Sequence, residues 1–302
     1  MFACACAPPL QPGDELWAIA PSGALRELTA CQAGVDLWRA EGYRVKLVTG
    51  FDAQWGYLAG TDGHRRQLLQ AALADPACKG ILCVRGGYGG TRLLETWQWP
   101  PTAPKWLIGF SDITSLLWSL SRQGVAGVHG PLLTTLAQEP EWSRQRLFAW
   151  VRGQAIPPLQ GTGWGGGRVT GRLLPANLTV ATHLLGTAHE PDLTGAILAI
   201  EDVTEAPYRL DRLLTQWRML GKFEAIAGIA IGRFSRCEPP AGAASFTVAE
   251  VLRDRLGDLG LPVVADLPFG HDGVNAALPV GVMATLDATA GTLSLVADTQ
   301  AA

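Results

Sequence analysis

Short apolar runs alternate with amphipathic stretches through the first 130 residues, and this alternation is the strongest constraint on the fold. Residues 14–20 read as a strand, broken by Pro21-Ser22-Gly23, and residues 25–41 carry apolar side chains at helical spacing. Strands follow at 43–48, 80–84, 105–108 and 125–128, with helices at 63–74, 91–97 and 112–120 between them. Strand–helix alternation of this kind implies a parallel sheet covered by helices on both faces.

A break comes at 153–167, where Pro157-Pro158 and a run of glycines show neither strand nor helix period, so the segment reads as a linker. The pattern then starts afresh. Strands are expected at 168–174, 196–200, 225–231, 278–286 and 292–296, and helices at 177–185, 207–220 and 246–255. Pro207 suits the first position of its helix, where a missing N–H does no harm. The expectation is an α/β protein: an N-terminal parallel-sheet domain over 1–152, a linker over 153–167, and a smaller C-terminal α/β domain over 168–302. The cleft lies between them.

Composition excludes several classes. The 302 residues are 48% hydrophobic and 17% charged, which is globular and not disordered. Net charge is −3 with no Lys/Arg cluster, so no nucleic-acid partner is expected. No apolar run approaches the roughly 20 residues of a spanning helix, and the N-terminus has no basic segment ahead of an apolar one, so no membrane partner is expected. The six cysteines match no zinc or redox spacing, and Cys4 and Cys6 have no nearby His or Cys to complete a metal site. A cytoplasmic chain with reduced thiols and no metal is the simplest reading.

In open α/β sheets, ligands sit beyond the carboxyl ends of the strands. Those ends carry the glycine loop at 86–90, Gly109-Phe110-Ser111-Asp112, Glu201-Asp202 and, later, Gly270-His271. Ser111 sits where a tight strand-to-helix turn lifts a hydroxyl towards a cleft, although Ser is also a favoured helix cap. The N–H of Asp112 and one from the glycine loop can form an oxyanion hole. The glycine loop does not fit G-x-G-x-x-G, and no Walker lysine follows it. His271 lies in a glycine-flanked bend, and His129, ahead of Gly130-Pro131, is placed to line the cleft. Glu201 ends an apolar strand and needs a partner there, either a histidine or an arginine such as Arg209 or Arg212. Glu205 is the rival acid, and spacing does not choose between the two.

These residues resemble the L,D-carboxypeptidases of peptidoglycan recycling, serine peptidase family S66, whose superfamily also holds the microcin C immunity hydrolases. The resemblance runs nearly end to end. Its pieces are Ala20-Pro21-Ser22-Gly23, Arg85-Gly86-Gly87-Tyr88-Gly89, Ile108-Gly109-Phe110-Ser111-Asp112, His129-Gly130-Pro131, Gly171-Arg172-Leu173-Leu174, Glu201-Asp202-Val203 and Gly270-His271. It departs at Pro175-Ala176, where the family often has Gly-Gly.

The resemblance implies a Rossmann-like N-terminal domain and a smaller second one, with a Ser111–Glu201–His271 triad at their interface. It also implies backbone oxyanion donors at Gly87 and Asp112, no cofactor, a muropeptide substrate and a cytoplasmic homodimer. A substrate with a free carboxylate needs a cation, for which Arg85 is the candidate, and Tyr88 in the same loop is the candidate aromatic contact. Two rival readings keep the fold: an immunity-type amide hydrolase with the same triad, and a non-catalytic peptide-binding protein.

Overall fold

A computed structural model describes residues 3–239 and 241–296. The apolar runs of the first half become β1 (Glu15–Ile19), β2 (Arg44–Leu47), β3 (Cys78–Cys83), β4 (Trp106–Gly109) and β5 (Gly127–His129). Between them lie α1 (Leu28–Ala40), α2 (Asp62–Ala74), α3 (Gly90–Leu94) and α4 (Thr114–Ser121). The inner strands are apolar on both faces because helices cover both: β1 is buried from Leu16 to Ile19 and β4 throughout. The five strands are parallel, in the order β5-β4-β3-β1-β2. This doubly wound order, 2-1-3-4-5, differs from the 3-2-1-4-5-6 of the Rossmann arrangement. It reverses between β1 and β3, which is where such sheets open a ligand crevice.

Two helices that the apolar pattern did not reveal follow, α5 (Leu133–Leu136) and α6 (Glu141–Val151). The segment expected as a linker carries two short strands, β6 (Leu159–Gln160) and β7 (Thr162–Trp164). They escape a pattern search because their glycines are packing sites: a Cβ on Gly161 or Gly163 would run into the backbone of Ala265 or Ala288.

Then come β8 (Arg168–Asn177), α7 (Leu178–Leu184), β9 (Ile197–Val203), α8 (Pro207–Met219), α9 (Lys222–Ala225), β10 (Gly228–Ser235), α10 (Val248–Leu256), β11 (Val263–Ala265), β12 (Leu278–Val280), β13 (Met283–Asp287) and β14 (Thr292–Leu295). Eight strands form the second sheet, in the order β6-β14-β13-β8-β9-β10-β11-β7. β8 to β11 are mutually parallel, and the strands flanking them are antiparallel.

The run 278–286, expected as one strand, is two. β12 crosses to the first sheet, pairing antiparallel with β5, while β13 stays in the second. The chain bends at Gly281, whose φ of +86° favours glycine and whose missing Cβ makes room for the Cys4 thiol.

The seam between the sheets is α4, which is buried on every side. Its polar groups are matched across the seam: Thr114 Oγ1 accepts from Asn177 N at 3.0 Å, and Trp118 Nε1 donates to Pro175 O at 2.9 Å. Trp118 packs edge-on against Trp217 of α8, within one apolar cluster drawn from both halves of the chain. Burying side chains of this size contributes about 1.5–3 kcal/mol each, which ties the two sheets into one body.

Candidate active site

The candidate side chains sit at or after the C-terminal halves of parallel strands: Arg85 after β3, Ser111 after β4, Glu201 within β9 and His271 in the loop after β11. β4 runs through Gly109, where a Cβ would lie 2.9 Å from the Cys83 Cβ, and ends at extended Phe110. Ser111 then turns sharply into a short 3-10 turn with φ +63°, a left-handed conformation rare for a non-glycine residue. Such strain at a strand-to-helix turn lifts a hydroxyl above the sheet. Gly86 gives way to it, since a Cβ there would meet Ser111 Cβ at 2.9 Å and Oγ at 3.0 Å.

The glycine loop after β3 is clamped from beneath. The guanidinium of Arg65, fully buried, donates from Nη1 to Pro21 O (2.6 Å) and Gly89 O (2.8 Å) and also contacts Asp62. Asp112 Oδ2 accepts from Gly90 N at 2.7 Å. Burial pushes the Asp112 carboxyl up, and the Ser22 hydroxyl, that hydrogen bond and the charge of Arg65 draw it back. The two segments carrying the expected oxyanion amides, Gly87 and Asp112, are therefore joined to each other.

β9 delivers two adjacent acids to opposite faces, as strand alternation requires. Asp202 turns to α7, accepting from Asn177 Nδ2 (2.9 Å) and from Thr179 N and Oγ1 (2.9 and 2.8 Å). Glu201, fully buried, accepts on Oε2 from His271 Nδ1 at 2.6 Å. Burial pushes the Glu201 carboxyl up, and the histidine contact opposes this. Glu205 lies beyond the strand and pairs with Arg209 at 3.7 Å. Of the two acids left open by spacing, the geometry therefore brings Glu201 to the histidine.

The His271 bend hangs on β10 through Arg233 N to Phe269 O (2.8 Å). It is also tied to the first half: Gly270 N donates to Asn275 Oδ1 (3.2 Å), and Asn275 N donates to buried Glu139 Oε2 (2.7 Å).

Ser111, His271, Gly86, Gly87 and Arg85 line one cavity of about 470 Å³. Tyr88 stands apart from that lining. It is exposed and packs on Tyr57 with ring centroids 5.9 Å apart. His129, expected at the cleft, is instead fully buried behind it, its ring between Phe110 and Phe269. Phe110 in turn lies against the His271 ring at 4.5 Å. Among the described residues, no cluster of three or more His, Cys, Asp or Glu side chains is placed to hold a metal ion, and no helix is long and apolar enough to cross a membrane. The cavity also takes in Arg26, Thr204 and Arg236, which no residue pattern in the sequence marks.

The LD-carboxypeptidase N-terminal domain family matches residues 17–130, and the LD-carboxypeptidase C-terminal domain family matches residues 170–286. A putative carboxypeptidase of Synechocystis sp. is 61% identical over 95% of both chains. The chain belongs to the LD-carboxypeptidase family. Among other family members, the murein tetrapeptide carboxypeptidase of Pseudomonas aeruginosa is 32% identical, over 89% of this chain and 92% of that one. The crystal structure of muramoyltetrapeptide carboxypeptidase from Oxalobacter formigenes superposes with a TM-score of 0.81 at 27% identity, over 93% of this chain and 98% of that one. MccF in complex with glutamyl sulfamoyl guanosine superposes at 0.86 with 20% identity, over 99% of each chain, a likeness of fold. Its relatives make this LD-carboxypeptidase family member a hydrolase of the carboxypeptidase type.

Proposed function

We propose that the protein is a serine-type L,D-carboxypeptidase that removes the terminal D-Ala from murein-derived tetrapeptides. The observation that carries this reading is the Glu201–His271 hydrogen bond, 2.6 Å long, at the wall of the cavity that holds strained Ser111. The 32% identical relative named a murein tetrapeptide carboxypeptidase supports the substrate class.

In this reading, Ser111 Oγ attacks the carbonyl carbon joining the L-centre of diaminopimelate to D-Ala, and His271 Nε2 takes the hydroxyl proton. Glu201, bonded to Nδ1, holds the ring in the tautomer that leaves Nε2 free to accept and stabilises the imidazolium that forms. The oxyanion lies between the N–H groups of Gly87 and Asp112, where one donor is worth roughly 3–4 kcal/mol. Collapse breaks the C–N bond, and the D-Ala amine leaves with the proton from His271. Water then gives its proton to His271 and attacks the acyl-enzyme, which restores Ser111. Arg85, half-buried in the cavity lining, faces the terminal carboxylate, while Tyr88, exposed and outside that lining, is not assigned a contact with the peptide. The reading places the enzyme in the cytoplasm as a homodimer that needs no cofactor.

The test is D-Ala release from L-Ala-γ-D-Glu-meso-diaminopimelate-D-Ala by the wild type and by Ser111→Ala, side by side. Release by the wild type and a loss of up to ~10⁶ in kcat in the variant are expected. Equal release by both would make Ser111 a helix cap only. No release by folded wild type would remove the recycling substrate.

A further inference from the structure

Three arginines reach the cavity from three chain segments: Arg26 between β1 and α1, Arg85 after β3, and Arg236 after β10. None of the three makes an ion pair among the described residues, whereas Arg65, Arg92, Arg152, Arg172 and Arg218 each meet a carboxylate. Among the described residues, the one acid lining the cavity is exposed Glu27, while Glu201 lies behind the lining, bonded to His271. Guanidinium groups stay charged at every working pH, so the cavity presents an excess of fixed positive charge. Burial disfavours the charged Arg85 guanidinium most and the charge of Arg26 next, while Glu27 offsets part of this, so Arg85 gains when an anion enters.

The backbone makes the arrangement specific. Among the described residues, four non-glycine residues have positive φ, namely Ser111, Thr204, Arg236 and Asp266, and the first three all line this cavity. Thr204 (φ +60°) and Arg236 (φ +54°) leave adjacent parallel strands and are joined across them by Thr204 N to Ser235 O at 2.9 Å. A left-handed conformation strains a β-branched or long side chain, and such strain collects at ligand sites.

Arg85 and Arg236 occupy different walls. The Arg85 guanidinium lies over Gly23 and Gly87, where a Cβ on Gly87 would come within 2.6 Å of it, so it belongs to the oxyanion side. Arg236 belongs to the wall built by the ends of β9 and β10, the wall that also supplies Glu201.

We propose that Arg236 is a specificity-determining residue that pairs with a second substrate carboxylate, the one on the side chain of the acyl residue next to the scissile bond. The cleft then selects peptides whose penultimate residue is acidic at its far end, with Arg85 holding the terminal carboxylate. A planar guanidinium suits this role because it takes a carboxylate through two parallel N–H···O bonds, which a lysine does not reproduce. The proposal rests on the carboxypeptidase reading for its substrate and adds to that reading which acyl side chain is accepted.

The experiment compares two tetrapeptides that differ only at position three, meso-diaminopimelate against L-lysine, which lacks the far carboxylate. Cleavage is measured for the wild type, Arg236→Gln and Arg236→Lys. In parallel, binding of both peptides is measured by calorimetry to Ser111→Ala and to Ser111→Ala/Arg236→Gln. Wild type is expected to favour the diaminopimelate peptide at least tenfold in kcat/KM, as one charge-assisted pair implies. Arg236→Gln should lose that preference by weakening on the diaminopimelate peptide alone, and Arg236→Lys should recover only part of it. Equal losses on both peptides, or none on either, overturn the proposal. If the wild type cleaves neither peptide, the carboxypeptidase reading fails. The binding arm then still decides this one: a preference that vanishes with Arg236→Gln supports it, and its absence from the start overturns it.

Discussion

His129 makes the fold sensitive to acid, although no solvent touches it. It is fully buried in β5, edge-on to Phe110 and Phe269, and neither ring nitrogen has a hydrogen-bond partner among the described residues. Burial, helped by the charge of nearby His271, pushes its pKa from 6.5 down to about 3. The native ring thus refuses a proton that the unfolded chain accepts. Because the native value is the lower one, stability is complete above pH 6.5 and is lost as pH falls towards 3. At about 1.4 kcal/mol for each pH unit crossed, the full loss is about 5 kcal/mol, and about 2 kcal/mol is gone between pH 8 and pH 5.

His129→Phe keeps an aromatic ring of similar size between the same neighbours. It should change stability at pH 8 by under about 1.5 kcal/mol. Urea unfolding of both proteins, followed by circular dichroism and tryptophan fluorescence, should show the variant losing about 2 kcal/mol less than wild type on going from pH 8 to pH 5. The carboxyls that burial pushes up, Asp112, Glu139 and Glu201, act in the opposite sense but are common to both proteins, so they cancel in the comparison. The same pH dependence in both proteins would refute the reasoning.

Gly86→Ala places a methyl 2.9 Å from Ser111 Cβ, so the proposed nucleophile must move. Displacements of this size cost about 100-fold in rate, and kcat for peptide cleavage should fall by that order while circular dichroism stays native. A fully active variant would contradict the packing. Glu139→Ala strands Asn275 N, leaves Ser143 Oγ with only its bond to Asn275 O, and loosens the bend that carries His271. Denaturant unfolding should show a loss of about 3 kcal/mol together with lower kcat, and a loss under about 1 kcal/mol would remove Glu139 as the tie between the two halves.

The sequence is legible where burial is local. The inner strands β1, β3, β4 and β5 announce themselves because a parallel strand covered on both faces is mostly apolar, and glycine or proline ends each run, whereas β2, at the sheet edge, alternates exposed Arg44 and Lys46 with apolar residues. That same logic points to Ser111, Glu201 and His271 at or after the C-terminal ends of apolar runs, which is where an α/β fold collects chemistry. It does not locate them relative to one another. Glu201 and Glu205 look alike in sequence because both follow an apolar run. They separate only because Glu201 is still within β9, on the face turned to His271, while Glu205 lies one helical turn from Arg209.

What the sequence hides is whatever depends on a distant partner or on a backbone angle. Residues 278–286 have an unbroken strand pattern, yet Gly281 sends the two halves to different sheets, because β5 and β8 both have an open side there. His129 has the polarity of a cleft residue and the position of one, but the ring turns inward, where Phe110 and Phe269 enclose it. Thr204 and Arg236 carry no residue-type mark, since the left-handed turn that aims them is one that glycine usually makes. A left-handed threonine or arginine is held by its surroundings rather than by its own preference. The sequence therefore shows where catalysis can be placed, while the side chains that choose the substrate come into view only when the strand ends are seen together.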